Sequence, residues 1–112
     1  MTISEAQKAV DKWIQEIGKR YFSPLTNMAL LTEETGELAR VIARTYGDQV
    51  PKEGDLRHPE NSKEDIAEEL ADILWVVLCL ANQTGIDLTS ALEASLKKKY
   101  TRDKNRFNSP EL

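Results

Sequence analysis

Cysteine and histidine are almost absent from this 112-residue chain: Cys79 and His58 are the single copies of each. One thiol cannot close an intramolecular disulfide, and one imidazole cannot build a histidine-rich metal centre. Glycine and proline are scarce, at 5 and 4 residues, and 40% of the chain is hydrophobic. That composition excludes a collagen-like repeat and a disordered tail. Bases are outnumbered, 15 against 19 acids, for a net charge of −4. An overall positive field for tracking a nucleic-acid backbone is therefore lacking, and no nucleic-acid partner is expected. The longest strongly apolar run, Ile73 to Ala81, is far too short to span a bilayer. Met1-Thr2-Ile3-Ser4-Glu5 carries no basic-then-apolar leader, so a cytoplasmic protein without a membrane partner is expected. The length suits one domain, residues 1–112.

What the chain does have is a period of 3.6 residues almost throughout, with strand signals nearly missing. Four segments carry it, and the expected fold is all-α. The first opens on a candidate capping box, Thr2 with Glu5, repeats apolar residues from Ala6 through Ile14 to Ile17, and stops at Gly18. The second has Ser23 to cap it and Pro24 at its first position, and runs to about Gly47. The third starts at Ser62, with Asp65 as a capping-box acid, and ends before Gly85. The fourth is capped by Asp87 or Thr89 and carries Leu92 and Leu96 toward a basic end. Between the second and third segments, Asp48 to Asn61 is rich in proline, glycine and charge; a connection of this length reads as a binding loop or lid.

The third segment is apolar on every face from Ile73 to Ala81 and so has to be surrounded. Three short helices can cover it only in part, which predicts a four-helix, bundle-like domain completed by a second copy of the chain. Cys79, inside this run, reads as a small buried hydrophobe.

Acidic residues supply the chemistry. Glu34 and Glu37 are three residues apart on the second helix, and Glu69 and Asp72 repeat that spacing on the third. Both pairs lie on stripes that are otherwise apolar: Leu30 and Val41 flank the first, and Val76 and Cys79 continue the second. Burying several carboxylates together costs several kcal/mol each, at the order-of-magnitude level, unless something neutralises them. A hard divalent cation does so, with Mg²⁺ the first choice and Mn²⁺ the alternative. A di-iron carboxylate bundle is excluded because neither helix has a histidine. Solvated helix faces remain the ordinary reading of such acids, and Glu33, Glu64 and Glu68 fit it as well as any other role. The stretch from Lys97 to Phe107 holds six basic residues. These suit the negative end of a helix dipole and equally a phosphate chain.

Glu33-Glu34-x-x-Glu37 followed by Glu69-x-x-Asp72 resembles the motif pair of the all-α nucleoside triphosphate pyrophosphohydrolases, in their short, single-domain MazG-like branch. The likeness extends to Tyr21-Phe22-Ser23-Pro24-Leu25, to Leu78-Cys79-Leu80-Ala81-Asn82 and to Thr101-Arg102-Asp103-Lys104. It implies Glu34, Glu37, Glu69 and Asp72 as magnesium ligands and Glu33 in a supporting or base role. It also implies hydrolysis of a nucleoside triphosphate to the monophosphate and pyrophosphate, often to clear non-canonical nucleotides, in dimers or pairs of dimers. The interval from Leu38 to Glu68 is longer than is usual in that family.

The mechanism expected on this basis has Glu33 or Glu37 taking the proton of the attacking water. Lys99, Arg102, Lys104 and Arg106 would balance phosphate charge. Trp13, Tyr21 and Phe22 are candidates to stack on the base, with Trp75 more at home in the core. The competing expectation is a non-catalytic helical module that senses nucleotides or dimerises.

Overall fold

The computed structural model describes residues 1–48 and 62–107, and these form four α-helices. They are α1 (Ile3–Trp13), α2 (Pro24–Tyr46), α3 (Ser62–Thr84) and α4 (Leu88–Asp103), with one π-helical turn, Ile14–Gly18, closing α1. No strand occurs among the described residues. The connection from Asp48 to Asn61, expected to act as a loop or lid, lies outside them apart from Asp48.

Local chemistry sets most of the helix ends. Thr2 and Glu5 form a complete capping box, each side chain bonded to the other's backbone N–H at 3.0 and 2.8 Å. Ser23 accepts from the Thr26 N–H ahead of Pro24, so the proline's missing donor costs nothing. Asp87, rather than Thr89, caps α4 by accepting from the Thr89 N–H at 3.0 Å. Gly85 sits at φ +73, a left-handed turn in which only glycine is unstrained, and it separates α3 from α4. Helix α3 is described from Ser62 onward, with Glu64 and Asp65 in its first turn.

Helices α2 and α3 run antiparallel: Asn27 Nδ2 donates to Gln83 Oε1 at 2.8 Å at one end of the pair. Farther along, Glu34 meets Glu69 and Asp72. Helix α1 also lies antiparallel to α3, from the Gln7–Asn82 hydrogen bond (3.1 Å) to the Trp13–Trp75 ring contact. The core between them is Val10, Ile14, Leu78 and Cys79, with Ala6, Tyr21 and Leu88 packed around it. Helix α4 turns away from α3 by 105°. It packs against the start of α1 and buries none of its own residues. No single helix among the described residues is long and apolar enough to cross a membrane.

The apolar stretch of α3 is covered on some faces and open on others. Val76, Leu78, Cys79 and Ala81 are buried, whereas Leu74 is 54% exposed.

Candidate functional site

Three carboxylates from two helices converge. Glu34 of α2 and Glu69 and Asp72 of α3 each place an oxygen within 4.8 Å of the others. The spacing of three on α3 puts Glu69 and Asp72 on adjoining turns of one face, and antiparallel packing slides Glu34 opposite them. Burial is graded across the group. Glu69 is 8% exposed, Glu34 is half-buried, and Asp72 opens to solvent.

The electrostatics of this arrangement are unfavourable for three bare anions. Partial withdrawal from water pushes the Glu34 carboxyl above its ordinary value, and the charges of Asp72 and Glu69 push it further. A hydrogen bond between Glu34 and Glu69 and the neighbouring charge of Glu33 act in the same direction. A carboxyl–carboxyl hydrogen bond needs a proton on one partner. A divalent cation is the alternative way to satisfy the same oxygens. An all-oxygen donor set, open on the Asp72 side, fits a hard ion that also keeps water or substrate ligands.

Two of the expected site acids stand apart from this group. Glu37 is half-buried one turn farther along α2, outside the converging three, and Glu33 is exposed beside Glu34. The offset of three residues keeps Glu37 on the face of α2 that carries Glu34, about 4.5 Å along the axis.

The basic segment lies on the last turns of α4 and just beyond. Arg102 forms a two-pronged pair with Asp103, at 2.9 and 3.1 Å, and Arg106 reaches the same carboxylate at 3.6 Å. The Arg102 bonds hold Asp103 below the usual carboxylate range. Lys99 Nζ donates to Ser95 Oγ, and Lys104 is exposed. The helix that carries this arm packs on α1 and bends 105° from the line of α3.

The aromatic candidates separate into different environments. The Tyr21 hydroxyl donates to Asp11 Oδ1 at 2.7 Å and accepts from Asn82 Nδ2 at 3.0 Å. Burial and the Asp11 bond push its pKa up to about 12. Tyr21 is thus tied into the helix packing. The Phe22 ring is exposed while its carbonyl accepts from Gln83. Trp13 and Trp75 contact each other edge to face, centroids 5.3 Å apart at 83°, and both stay partly exposed. Trp75, expected in the core, is 38% exposed.

Sequence reasoning missed a polar belt that clamps α1, α2 and α3. Asn82 donates to the Gln7 carbonyl, Gln7 reaches the Ile86 carbonyl and the Leu88 N–H, and buried Asn27 meets Gln83. The available signal was an amide on an otherwise apolar stripe, Asn27 before Leu30 and Leu31, and Asn82 after Leu78 and Cys79.

An all-helical chain that holds facing carboxylates on two antiparallel helices, ready for a hard cation, defines a class of acidic-site helical proteins. Within it, this chain belongs to the family described as the MazG nucleotide pyrophosphohydrolase domain, which residues 22–107 match. It is 40% identical to YpjD of Bacillus subtilis over 113 aligned residues, covering 98% of this chain and 94% of YpjD. A second Bacillus subtilis protein, YvdC, is 28% identical over 103 residues, covering 91% of this chain and 96% of its own. The fold superposes on the crystal structure of the Bacillus-conserved MazG protein, a nucleotide pyrophosphohydrolase, with a TM-score of 0.74 and 41% identity. That match covers 94% of this chain and 96% of the other.

Proposed function

We propose that this protein hydrolyses (deoxy)nucleoside triphosphates to the monophosphate and pyrophosphate with a bound divalent cation, Mg²⁺ or Mn²⁺. The observation that carries the reading is the convergence of Glu34, Glu69 and Asp72 within 4.8 Å. Family membership supplies the reaction class. Glu34, Glu69 and Asp72 hold the cation, with Glu37 completing the acidic wall beside them. When bound, the cation supplies charge for the triphosphate oxygens and a lowered pKa for water.

The remaining work falls to side chains. Glu33, exposed next to Glu34, or Glu37 on the next turn accepts the proton of the attacking water. Water adds one oxygen to phosphorus, one phosphoanhydride bond breaks, and pyrophosphate leaves with the displaced electron pair. Lys99, Arg102, Lys104 and Arg106 offer positive charge for the phosphates. The helix that carries them bends 105° from the line of α3, and a second copy is the means of bringing them to an acidic site. Exposed Leu74, Leu92 and Leu96 support such a dimer. So does an apolar groove of about 520 Å³ between α1, α3 and α4. Clearing non-canonical nucleotides is the cellular role that fits.

Incubation with a panel of canonical and modified triphosphates and Mg²⁺, read by pyrophosphate release, tests the reading. Release from at least one triphosphate is expected, and Asp72→Asn should reduce it by about 100-fold or more, as loss of an electrostatic group at a reacting phosphate does. No release from any of them overturns catalysis and leaves the nucleotide-sensing alternative.

A further inference from the structure

The most deeply buried polar side chain among the described residues is Asn27, 4% exposed, in the first turn of α2. Its Nδ2 donates to Gln83 Oε1 at 2.8 Å, at the last turn of α3. Gln83 Nε2 in turn donates to the Phe22 carbonyl at 2.8 Å, on the segment that leads into α2. One glutamine thus holds α2 at two points, its approach and its first turn, against the end of α3. The same faces carry the acids. Glu34 follows Asn27 by about two helical turns and returns to the same side of α2. Asp72 and Glu69 precede Gln83 by about three and four turns and return to the same side of α3. A single α2–α3 seam therefore has the amide pair at one end and the three carboxylates farther along.

Bare carboxylates work against that seam. The charges of Asp72 and Glu69 crowd Glu34, so without an ion they favour a slide or a splay of the two helices. Apolar contacts resist a slide weakly, because burial of apolar surface has no direction. A buried, hydrogen-bonded amide resists it strongly. Any other register strands the Asn27 donor away from water, at the full cost of its desolvation. One polar residue in an otherwise apolar helix seam fixes the register of coiled coils in the same way.

We propose that the Asn27–Gln83 pair presets the cation site: it keeps Glu34 opposite Glu69 and Asp72 in the cation-free protein, so that an ion meets carboxylates already gathered. This rests on the reading of the three acids as a cation site and adds what holds them together before the ion arrives. Asn27 and Gln83 lie whole turns away from the carboxylates and are positioning residues. Donors already held in place bind an ion more tightly than donors it has to gather, because their ordering is complete beforehand.

Two measurements on the full-length protein test this, and the first needs no ion. Nitroxide labels on Ala39→Cys of α2 and Ala67→Cys of α3, both exposed, report the helix register by pulsed dipolar spectroscopy after chelator treatment. Cys79 is buried and stays unlabelled, and dilution with unlabelled protein restricts the signal to pairs within one chain. The label distance should be a single narrow distribution that shifts or broadens on adding Asn27→Leu. The second is a titration with Mn²⁺ alone at pH 7, followed by the free-ion resonance. Asn27→Leu and Gln83→Met should each weaken Mn²⁺ binding by about tenfold. The double variant should lose the same factor and no more, because the pair acts as one unit. Gln83 is half-buried, so Gln83→Met carries the test if Asn27→Leu does not fold. Gln7→Ala removes another amide clamp, between α1 and the turn from α3 to α4, and controls for general loosening. It should leave both the label distance and the Mn²⁺ affinity unchanged. Unchanged distances or affinities in the Asn27 and Gln83 variants overturn the proposal, as do losses that add in the double variant. So does a loss in Gln7→Ala equal to that in Asn27→Leu, which would mean that any loosening of the bundle weakens the site. Wild-type protein that binds no Mn²⁺, with a label distance still disturbed by Asn27→Leu, removes the cation reading and leaves the pair as a register pin.

Discussion

Glu34 binds its proton more tightly than a free glutamate because partial burial removes water and because Asp72 and Glu69 crowd it. A carboxyl raised in this way contributes most to folding when protonated. Its contribution is present below the unfolded value, near 4.5, and is lost as pH rises through the raised folded value. At neutral pH the cation-free protein therefore carries a repulsion that a neutral isostere lacks. Glu34→Gln should raise the Tm of chelator-treated protein at pH 7 by about 2–4 °C, as relief of like-charge pairs does in a chain of this size. The difference should shrink as pH falls toward 4.5. A lower Tm for the variant at pH 7 would show that Glu34 is held by attraction and not strained by repulsion.

Single residues were legible in the sequence where their partners were near. Thr2 and Glu5, Ser23 and Pro24, and Asp87 all act within three positions of themselves, and each cap formed as its residue type dictates. Tyr21 looks free to stack on a base in the sequence because its partner Asn82 lies 61 residues away, and Trp75 looks like core because its apolar neighbours give no sign of the open side.

At the scale of helices, the acidic group was legible because two identical spacings on two helices can face each other in one register. What the spacing could not fix was how far α2 slides along α3, and the slide chosen leaves Glu37 beside the group. Polar contacts set that register as much as packing does. Asn82 spans Gln7 of α1 and Tyr21 in the connection to α2, and Asn27, only 4% exposed, locks α2 to Gln83. Asn82→Ala removes the amide that bonds Gln7 and Tyr21 across the helix packing and leaves the Tyr21 hydroxyl without that donor. It should cost about 1–3 kcal/mol, measured by urea denaturation. A change below a few tenths of a kcal/mol would mean that water replaces the amide freely and that hydrophobic packing alone aligns the helices.

For the whole molecule, the direction of α4 matters most and was least legible. Its helical period was plain, but the 105° departure follows from the left-handed turn at Gly85 and the Asp87 cap, and nothing in the α4 stripe of Leu92 and Leu96 announces where that stripe will be covered. One chain leaves Leu74, Leu92 and Leu96 about half exposed. Sedimentation at micromolar concentration should therefore find a dimer or a larger even assembly, and Leu92→Glu should shift it toward monomer. A wild-type monomer across that range would leave the basic arm unable to serve a neighbouring acidic site.

The central claim is that carboxylates from two helices make one cation site, and direct titration with Mn²⁺, followed by the electron paramagnetic resonance of the free ion, tests it. Saturable binding at pH 7 that is lost in Asp72→Asn and in Glu69→Gln, with both variants still helical by circular dichroism, is the predicted result. Wild-type protein that leaves the free-ion signal undiminished, or variants that bind as the wild type does, would contradict it.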